Sequence, residues 1–314
     1  MQLITILLAT VSILTILSGT IVYFGSSKSG RVKSAWYFLA AIFATIWMTS
    51  ICFFLTATPD KLDSVGWHVS WTFVSAIVFD TAFLGYAAWT KKYGRTITML
   101  FLLIGFTIAS VILVNPDSFY NSINLVPTGN TITMNIGPVY FSYIGFFGAI
   151  VPVIVSVYLY QFFKTKSQRK RGGDIITMVS FGLSSTVVLV FNLIFPMFNN
   201  WSLIWLGPLA LAVTILAVYY TILRYRVLNL SSIWLRIFSY AVVIASAAIM
   251  YMVVFSIVFA ALFKGSSPST EVIILNFVMI LIFISLTPAM SGLVEHIRSL
   301  ISGNNVTTKD KQKE

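Results

Sequence analysis

Apolar and polar residues follow one another along this chain in long blocks. The apolar blocks reach about 18 residues or more, the length that indicates a helix crossing the bilayer. Inside lipid, such a segment can satisfy its backbone hydrogen bonds only as a helix. The pattern predicts about nine spans, at 3–24, 35–57, 67–89, 97–114, 138–163, 175–198, 204–224, 235–263 and 272–291. With 58% hydrophobic and 9% charged residues, the chain is expected to be an all-α, polytopic integral membrane helical bundle.

The basic residues alternate with the predicted spans. Of the 20 Lys and Arg residues, all except Lys61 and Lys264 fall in the odd-numbered connections or the C-terminal tail. Cytoplasmic loops carry the excess of Lys and Arg, so the N-terminus is predicted outside and the C-terminus in the cytoplasm. The net charge of +11 is therefore explained by the topology of a protein in the cell (plasma) membrane. The expected partner is the lipid bilayer, and no nucleic acid is expected to bind.

The connection at 115–137 is the longest on the predicted outer side. Pro127-Thr128-Gly129-Asn130 is a turn signal, and Ile132, Met134 and Ile136 alternate with polar residues after it. Turn residues between runs of period two predict a small β-hairpin on the extracytoplasmic face.

The end of the seventh predicted span has a distinctive order of residues. Gly207-Pro208 opens this span, and Arg224-Tyr225-Arg226 closes it before Leu228 and Leu230. This string resembles the end of the seven-transmembrane sensor region at the N-terminus of bacterial histidine kinases. Asn229 stands where that family usually has an aspartate.

A hairpin followed by Gly137-Pro138 is a second feature shared with that family. The resemblance covers roughly 1–230 and divides the chain into a sensor-like membrane domain, a two-helix membrane extension at 231–293, and a polar tail at 294–314. The tail is expected to be disordered because it is highly charged.

The resemblance implies a membrane-embedded signal-sensing module of a histidine-kinase-like system, with Arg224, Tyr225 and Arg226 as coupling candidates. Only about 20 residues follow the last predicted span, too few for a catalytic output domain. The implied partners are a cytoplasmic kinase or response regulator, a small-molecule or peptide ligand, and a second copy in a homodimer.

Asp80 is the most unusual residue within a span. A carboxylate near the bilayer midplane costs about 2.5–3.5 kcal/mol and normally has a partner. No Lys or Arg lies at that depth, so Asp80 is expected to be protonated or hydrogen-bonded to neutral groups such as Asn192. A ligand-, ion- or proton-responsive site and a structural helix-to-helix contact are both open interpretations.

Two further residues are candidates for ligand binding or sensing. Asn192 precedes Pro196 by four residues, where freed carbonyl groups need partners; interhelical hydrogen bonding is the alternative. His68 lies between Trp67 and Trp71 and titrates near neutral pH, although aromatic residues at the end of a span are also ordinary interface anchors.

Catalytic chemistry is not expected. The single cysteine, Cys52, and two histidines, His68 and His296, exclude a disulfide framework and predict no metal site and no cofactor. The chain has no HExxH, GxSxG or P-loop motif. The competing class is a proton- or cation-coupled small-solute transporter or channel, in which Asp80 would be the coupling carboxylate.

Overall fold

The computed structural model describes residues 2–56, 62–91, 94–126, 131–198, 200–201 and 203–225. Seven of its helices are long and apolar enough to cross a membrane, which confirms the first seven predicted spans. The eighth and ninth, at 235–263 and 272–291, and the tail at 294–314 lie outside the described residues. The helices are α1 (Gln2–Gly25), α2 (Arg31–Leu55), α3 (Leu62–Lys91), α4 (Arg95–Val114), α5 (Pro138–Lys164), α6 (Gln168–Val188), α7 (Phe195–Met197) and α8 (Leu206–Tyr225).

The sixth span is not a uniform α-helix. After α6 the chain continues as a π-helical segment, Leu189–Ile194, and then as α7, which has only three residues. Pro196 within α7 has no N–H to donate, which favours a change of helical geometry one turn before it. The seventh spanning helix, and the last one among the described residues, is therefore α8.

Helix α3 lies in the interior of the bundle. It packs against α2, α4 and α5, and 89% of its spanning window is buried, against 22% for α4. A helix that is buried on all sides needs no polar face. Residues on every side of α3 are therefore placed to contact a neighbouring helix.

Helix α8 closes the bundle against α1, α2 and α6. The Tyr37 hydroxyl of α2 donates to the Ile215 carbonyl of α8 at 2.9 Å and lies 3.1 Å from the Ser18 hydroxyl of α1. One side chain thus joins the first, second and last of the described helices.

The connection between α4 and α5 contains two antiparallel strands, β1 (Tyr120–Val126) and β2 (Thr131–Ile136). Gly137 then donates its N–H to the Phe119 carbonyl at 2.7 Å, and α5 begins with Pro138 at its first position, where a missing N–H costs nothing. We call this end of the bundle the hairpin end.

The opposite end, where α3 finishes and α4 begins, is called the basic end. Because successive spans are joined by short connections, they run in alternate directions, and Lys28, Arg31, Lys91, Arg95 and Lys164 all lie at this end. Placement of the basic end in the cytoplasm, and of the hairpin outside, stays a prediction.

Candidate functional site

Asp80 is buried within α3. Its side chain is 1% exposed, and its Oδ1 atom has no hydrogen-bond partner among the described residues. Phe73 precedes it by seven residues and Lys91 follows it by 11, so the three lie on one face of the helix, about two and three turns away. That face therefore carries an unpaired carboxylate near its middle.

Tyr143 of α5, a helix that packs against α3, is a second buried polar residue in this region. Its ring meets Phe73 edge-on with centroids 5.2 Å apart, and its hydroxyl lies within electrostatic range of Asp80. The side chain is fully buried and the hydroxyl has no hydrogen-bond partner in the described part of the chain. Two neighbouring helices thus each bring an unsatisfied polar atom to the interior.

An aromatic cluster connects this region to the hairpin end. The Phe73 ring lies 4.3 Å from that of Phe119, which leads into β1, and the Phe119 ring lies 5.5 Å from that of Tyr140. All three side chains are almost fully buried. A movement of the chain at Phe119, beside the hairpin, would therefore act directly on the side chains of α3 and α5.

Asn192 lies in the π-helical segment and is 1% exposed. Its Nδ2 atom donates to the Ile204 carbonyl at 3.0 Å, while its Oδ1 atom has no hydrogen-bond partner within the described part of the chain. The amide is thus bound to the chain leading into α8, and no described hydrogen bond joins it to Asp80.

The Tyr140 hydroxyl compensates for the irregular backbone around Asn192. It donates to the carbonyl groups of Asn192, at 3.2 Å, and Leu193, at 2.9 Å. Pro196 cannot donate to the carbonyl of the residue four positions earlier, so the tyrosine supplies the missing donor. Helix α5 is thereby fastened to the π-helical segment.

The glycine of each Gly-Pro pair noted in the sequence lies where another part of the chain approaches its backbone closely. A Cβ atom on Gly207 would overlap the side-chain amide of Asn192, and one on Gly137 would overlap the backbone of Ser118. Neither glycine has a left-handed conformation. Lack of space, and not backbone freedom, is what requires glycine at these positions.

His68 does not join this region. It is half-buried in α3 and its ring stacks on Phe53 at 4.4 Å. The 12 residues that separate it from Asp80 correspond to about 18 Å along the helix. The described residues contain no group of three or more His, Cys, Asp or Glu side chains placed to hold a metal ion.

Sequence reasoning missed an ion pair at the basic end. Lys91 Nζ, at the end of α3, donates to Asp174 Oδ1 near the start of α6, and their side chains are only 16% and 7% exposed. The Lys91 ammonium lies 5.4 Å from the centre of the Tyr158 ring, and Gln161 Nε2 donates to the Lys91 carbonyl at 3.2 Å. Three helices meet at this pair.

Aromatic stacking continues from this ion pair towards the middle of the bundle. The Phe83 ring of α3 stacks on Phe181 of α6 with centroids 4.7 Å apart, and it lies 6.4 Å from the Tyr158 ring. Phe181 follows Asp174 by seven residues and so shares its face of α6. Side chains therefore bridge α3 and α6 at two levels.

The predicted coupling residues lie at the limit of the described chain. Arg224 and Tyr225 are the last residues of α8, and Arg226 lies outside the described residues. Their coupling role stays a prediction.

The seven apolar helices define a multi-pass membrane protein of the seven-helix bundle class. The sequence matches, over residues 6–231, the family described as the N-terminal 7TM region of histidine kinase. The chain belongs to this family. No curated protein matches it.

Proposed function

We propose that this chain is the sensing module of a histidine-kinase-like signalling system and is not itself an enzyme. The observation that carries the proposal is the family match over 6–231. A cue received at the hairpin end or in the bundle interior would be passed to a signalling partner at the basic end.

Helix α3 supports this proposal because its two ends take part in different clusters. Phe73, near the hairpin end, contacts Phe119 and Tyr143, whereas Lys91 pairs with Asp174 at the basic end. A rigid helix transmits a shift along its length, and packed interfaces tend to have discrete arrangements. Signalling then requires that the cue bind one arrangement more tightly than the other.

The partner expected at the basic end is a cytoplasmic kinase or response regulator. The test is crosslinking of the tagged full chain in mild detergent, followed by mass spectrometry. Recovery of a signalling protein with the native chain, and its loss with Arg224→Ala/Arg226→Ala, is the expected result. A variant with Lys28→Ala/Arg31→Ala removes the same charge at the same end and should keep the partner.

Transport is the competing function, and the unpaired Asp80 carboxylate is the observation that favours it. Proton-driven solute uptake into liposomes by the native chain, abolished in Asp80→Asn, would replace the sensor proposal. Equal partner recovery with the native chain and with the α8-end variant would remove the coupling role of Arg224 and Arg226.

A further inference from the structure

Arg95 is the first residue of α4, at the basic end, and its side chain is exposed. Its guanidinium lies over the indole of Trp89, near the end of α3, with Cζ 5.3 Å from the ring centre. The Trp89 ring in turn lies 5.4 Å from the ring of Trp36 on α2. Three helices thus bring one cation and two indoles together, in what we call the arginine–tryptophan cluster.

Two glycines hold this cluster in place. Gly94 has a φ of 83°, a left-handed conformation that favours glycine, and its carbonyl accepts both the N–H of Thr98, at 2.9 Å, and the hydroxyl of Thr98, at 3.0 Å. A Cβ atom on Gly85 would overlap the indole of Trp36, so this ring lies directly against the backbone of α3. The positions of Arg95 and Trp36 are therefore fixed by the backbones of α3 and α4.

Four contacts between a cation and an aromatic ring occur among the described residues, and Arg95 differs from the other three cations. Lys91 is paired with Asp174, the one carboxylate described at the basic end. Arg171 donates its Nε–H to a backbone carbonyl, and Lys164 has no planar guanidinium. Arg95 has no ion pair or hydrogen bond from its side chain within the described part of the chain, so its charge is available to a ligand.

The stacking of Arg95 decides which ligand its side chain suits. A guanidinium has five N–H donors and no acceptor, and all five point outward in its plane. An indole over one face leaves that edge free and holds the plane in one orientation. Such an edge matches the geometry of a phosphate group, which it can bind through two parallel hydrogen bonds.

The outer face of α4 favours a phospholipid over a free phosphate ion. Met99, Leu103 and Phe106 follow Arg95 by four, eight and 11 residues and so share its face of the helix. Their side chains are 50%, 63% and 69% exposed. The 11 residues span about 16 Å, roughly half of a hydrocarbon core about 30 Å thick. A phosphate bound at Arg95 would therefore have an apolar surface one leaflet deep beside its acyl chains.

We propose that Arg95, Trp89 and Trp36 form a binding site for the phosphate group of an anionic phospholipid in the leaflet at the basic end. The edge of the guanidinium holds the phosphate oxygens, the indoles orient the guanidinium, and the outer face of α4 contacts the acyl chains. A zwitterionic lipid binds less tightly, because its ammonium group is repelled by Arg95. The site does not rest on the proposed function and holds whether or not the chain is a sensor.

The test is native mass spectrometry of the full chain, released from a neutral detergent. The chain is titrated with phosphatidylglycerol and, separately, with phosphatidylcholine that has the same acyl chains, and the dissociation constant of the first bound lipid is measured. Arg171→Gln is the matched control. It removes the same charge from the same end of the bundle, and it also breaks a contact with one aromatic ring, that of Phe162, at 5.4 Å.

Arg95→Gln should weaken the binding of phosphatidylglycerol about tenfold, which corresponds to one charge-assisted contact. Arg95→Lys keeps the charge but loses the stacked, planar edge, and should weaken binding about threefold. Trp89→Leu should have a similar effect, because the charge remains while the guanidinium is no longer held. Arg171→Gln should weaken binding less than about twofold. Since Arg95 is exposed, its substitution should leave the fold intact.

Equal binding of phosphatidylglycerol by the native chain and by Arg95→Gln would overturn the proposal. Native affinity in Arg95→Lys, or a loss in Arg171→Gln as large as that in Arg95→Gln, would also overturn it, because charge alone would then account for binding. Equal affinity of the native chain for the two lipids would remove the preference for an anionic headgroup. Displacement of the lipid by inorganic phosphate at the same concentration would show a free anion, and not a lipid, to be the occupant.

Discussion

The ion pair between Lys91 and Asp174 yields the most quantitative prediction. Removing one partner of a buried pair strands the other, at a cost of about 3–5 kcal/mol in fully buried cases. The two partners differ in length and in exposure, with side chains 16% and 7% exposed. The cost of each substitution should therefore depend on which partner is left behind.

Lys91→Ala should be the more damaging change, at about 3 kcal/mol, because the short Asp174 side chain cannot reach water. It also removes the contact with the Tyr158 ring, worth about 0.5–1 kcal/mol. Asp174→Ala should cost only about 1–2 kcal/mol, since a stranded lysine can extend its ammonium group towards the basic end. The double variant should resemble Asp174→Ala, which gives a coupling free energy of about 3 kcal/mol.

The measurement is unfolding in mixed detergent, followed by a thiol-reactive fluorophore. Cys52 is the single cysteine of the chain and is half-buried in α2, so its labelling reports on opening of the bundle. Lys164→Ala is the control: its ammonium also lies over an aromatic ring, Tyr160, at 5.5 Å, but it has no carboxylate partner in the described part of the chain. This control should cost less than about 1 kcal/mol.

Additive effects of Lys91→Ala and Asp174→Ala would refute the argument, because independent sites add and paired sites do not. A larger cost for Asp174→Ala than for Lys91→Ala would refute the part that rests on side-chain length.

Three further predictions are tested by the same unfolding assay. Gly207→Ala should cost about 1–3 kcal/mol through overpacking. Adding Asn192→Ala should relieve most of this cost, since the added methyl group overlaps the Asn192 side chain. If the double variant is no more stable than Gly207→Ala, the overlap is not the cause of the lost stability. Gly148→Ala should be neutral or stabilise by up to about 1 kcal/mol, because nothing lies within 4 Å of the added methyl group, and a marked loss would reveal a contact at this face. Tyr140→Phe should cost about 1–3 kcal/mol by leaving carbonyls unsatisfied, and less in a Pro196→Ala background, where the helix regains a donor; an equal cost in both backgrounds would contradict that role.

Much of the bundle could be predicted because membrane spans are local in sequence. A run of apolar residues determines a spanning helix whatever its neighbours do, so the first seven spans agree with the structure. Their ends agree less well: α6 begins at Gln168, inside the basic run, whereas the apolar pattern begins at 175. A helix can extend past the hydrocarbon core in polar residues, and hydropathy does not register this extension.

The candidate site could be predicted only in part. Asp80 and Asn192 stand out because their residue types are costly in lipid, and burial of both agrees with that reasoning. The ion pair between Lys91 and Asp174 could not be predicted because its members are 83 residues apart in sequence, and Lys91 by itself indicates only topology. An acidic residue three positions after Arg171, at the end of the basic run, was the available clue.

The contact between Tyr143 and Phe73 of α3 could not be predicted from the sequence either. Tyr143 lies in an aromatic stretch of α5 where nothing in the pattern distinguishes one tyrosine from another. Which of them contacts α3 depends on the rotation of α5 against α3, a property of packing and not of sequence periodicity.

The burial of α3 bears on how the protein is assembled in the membrane. Its spanning window has the lowest mean hydropathy of the seven, 1.3, while α4, the least buried, has the highest, 2.7. In the two-stage description of membrane protein folding, each helix first inserts in lipid and packs against its neighbours only later. Its insertion therefore depends on its own hydrophobicity. Helix α4 meets that requirement alone, whereas α3 is a weak candidate for independent insertion and depends on its neighbours to remain in the bilayer. Truncations that remove α4 and α5 should therefore leave α3 exposed to lipid, for which its sequence is poorly suited. Cellular quality control would be expected to act on α3 before the other helices.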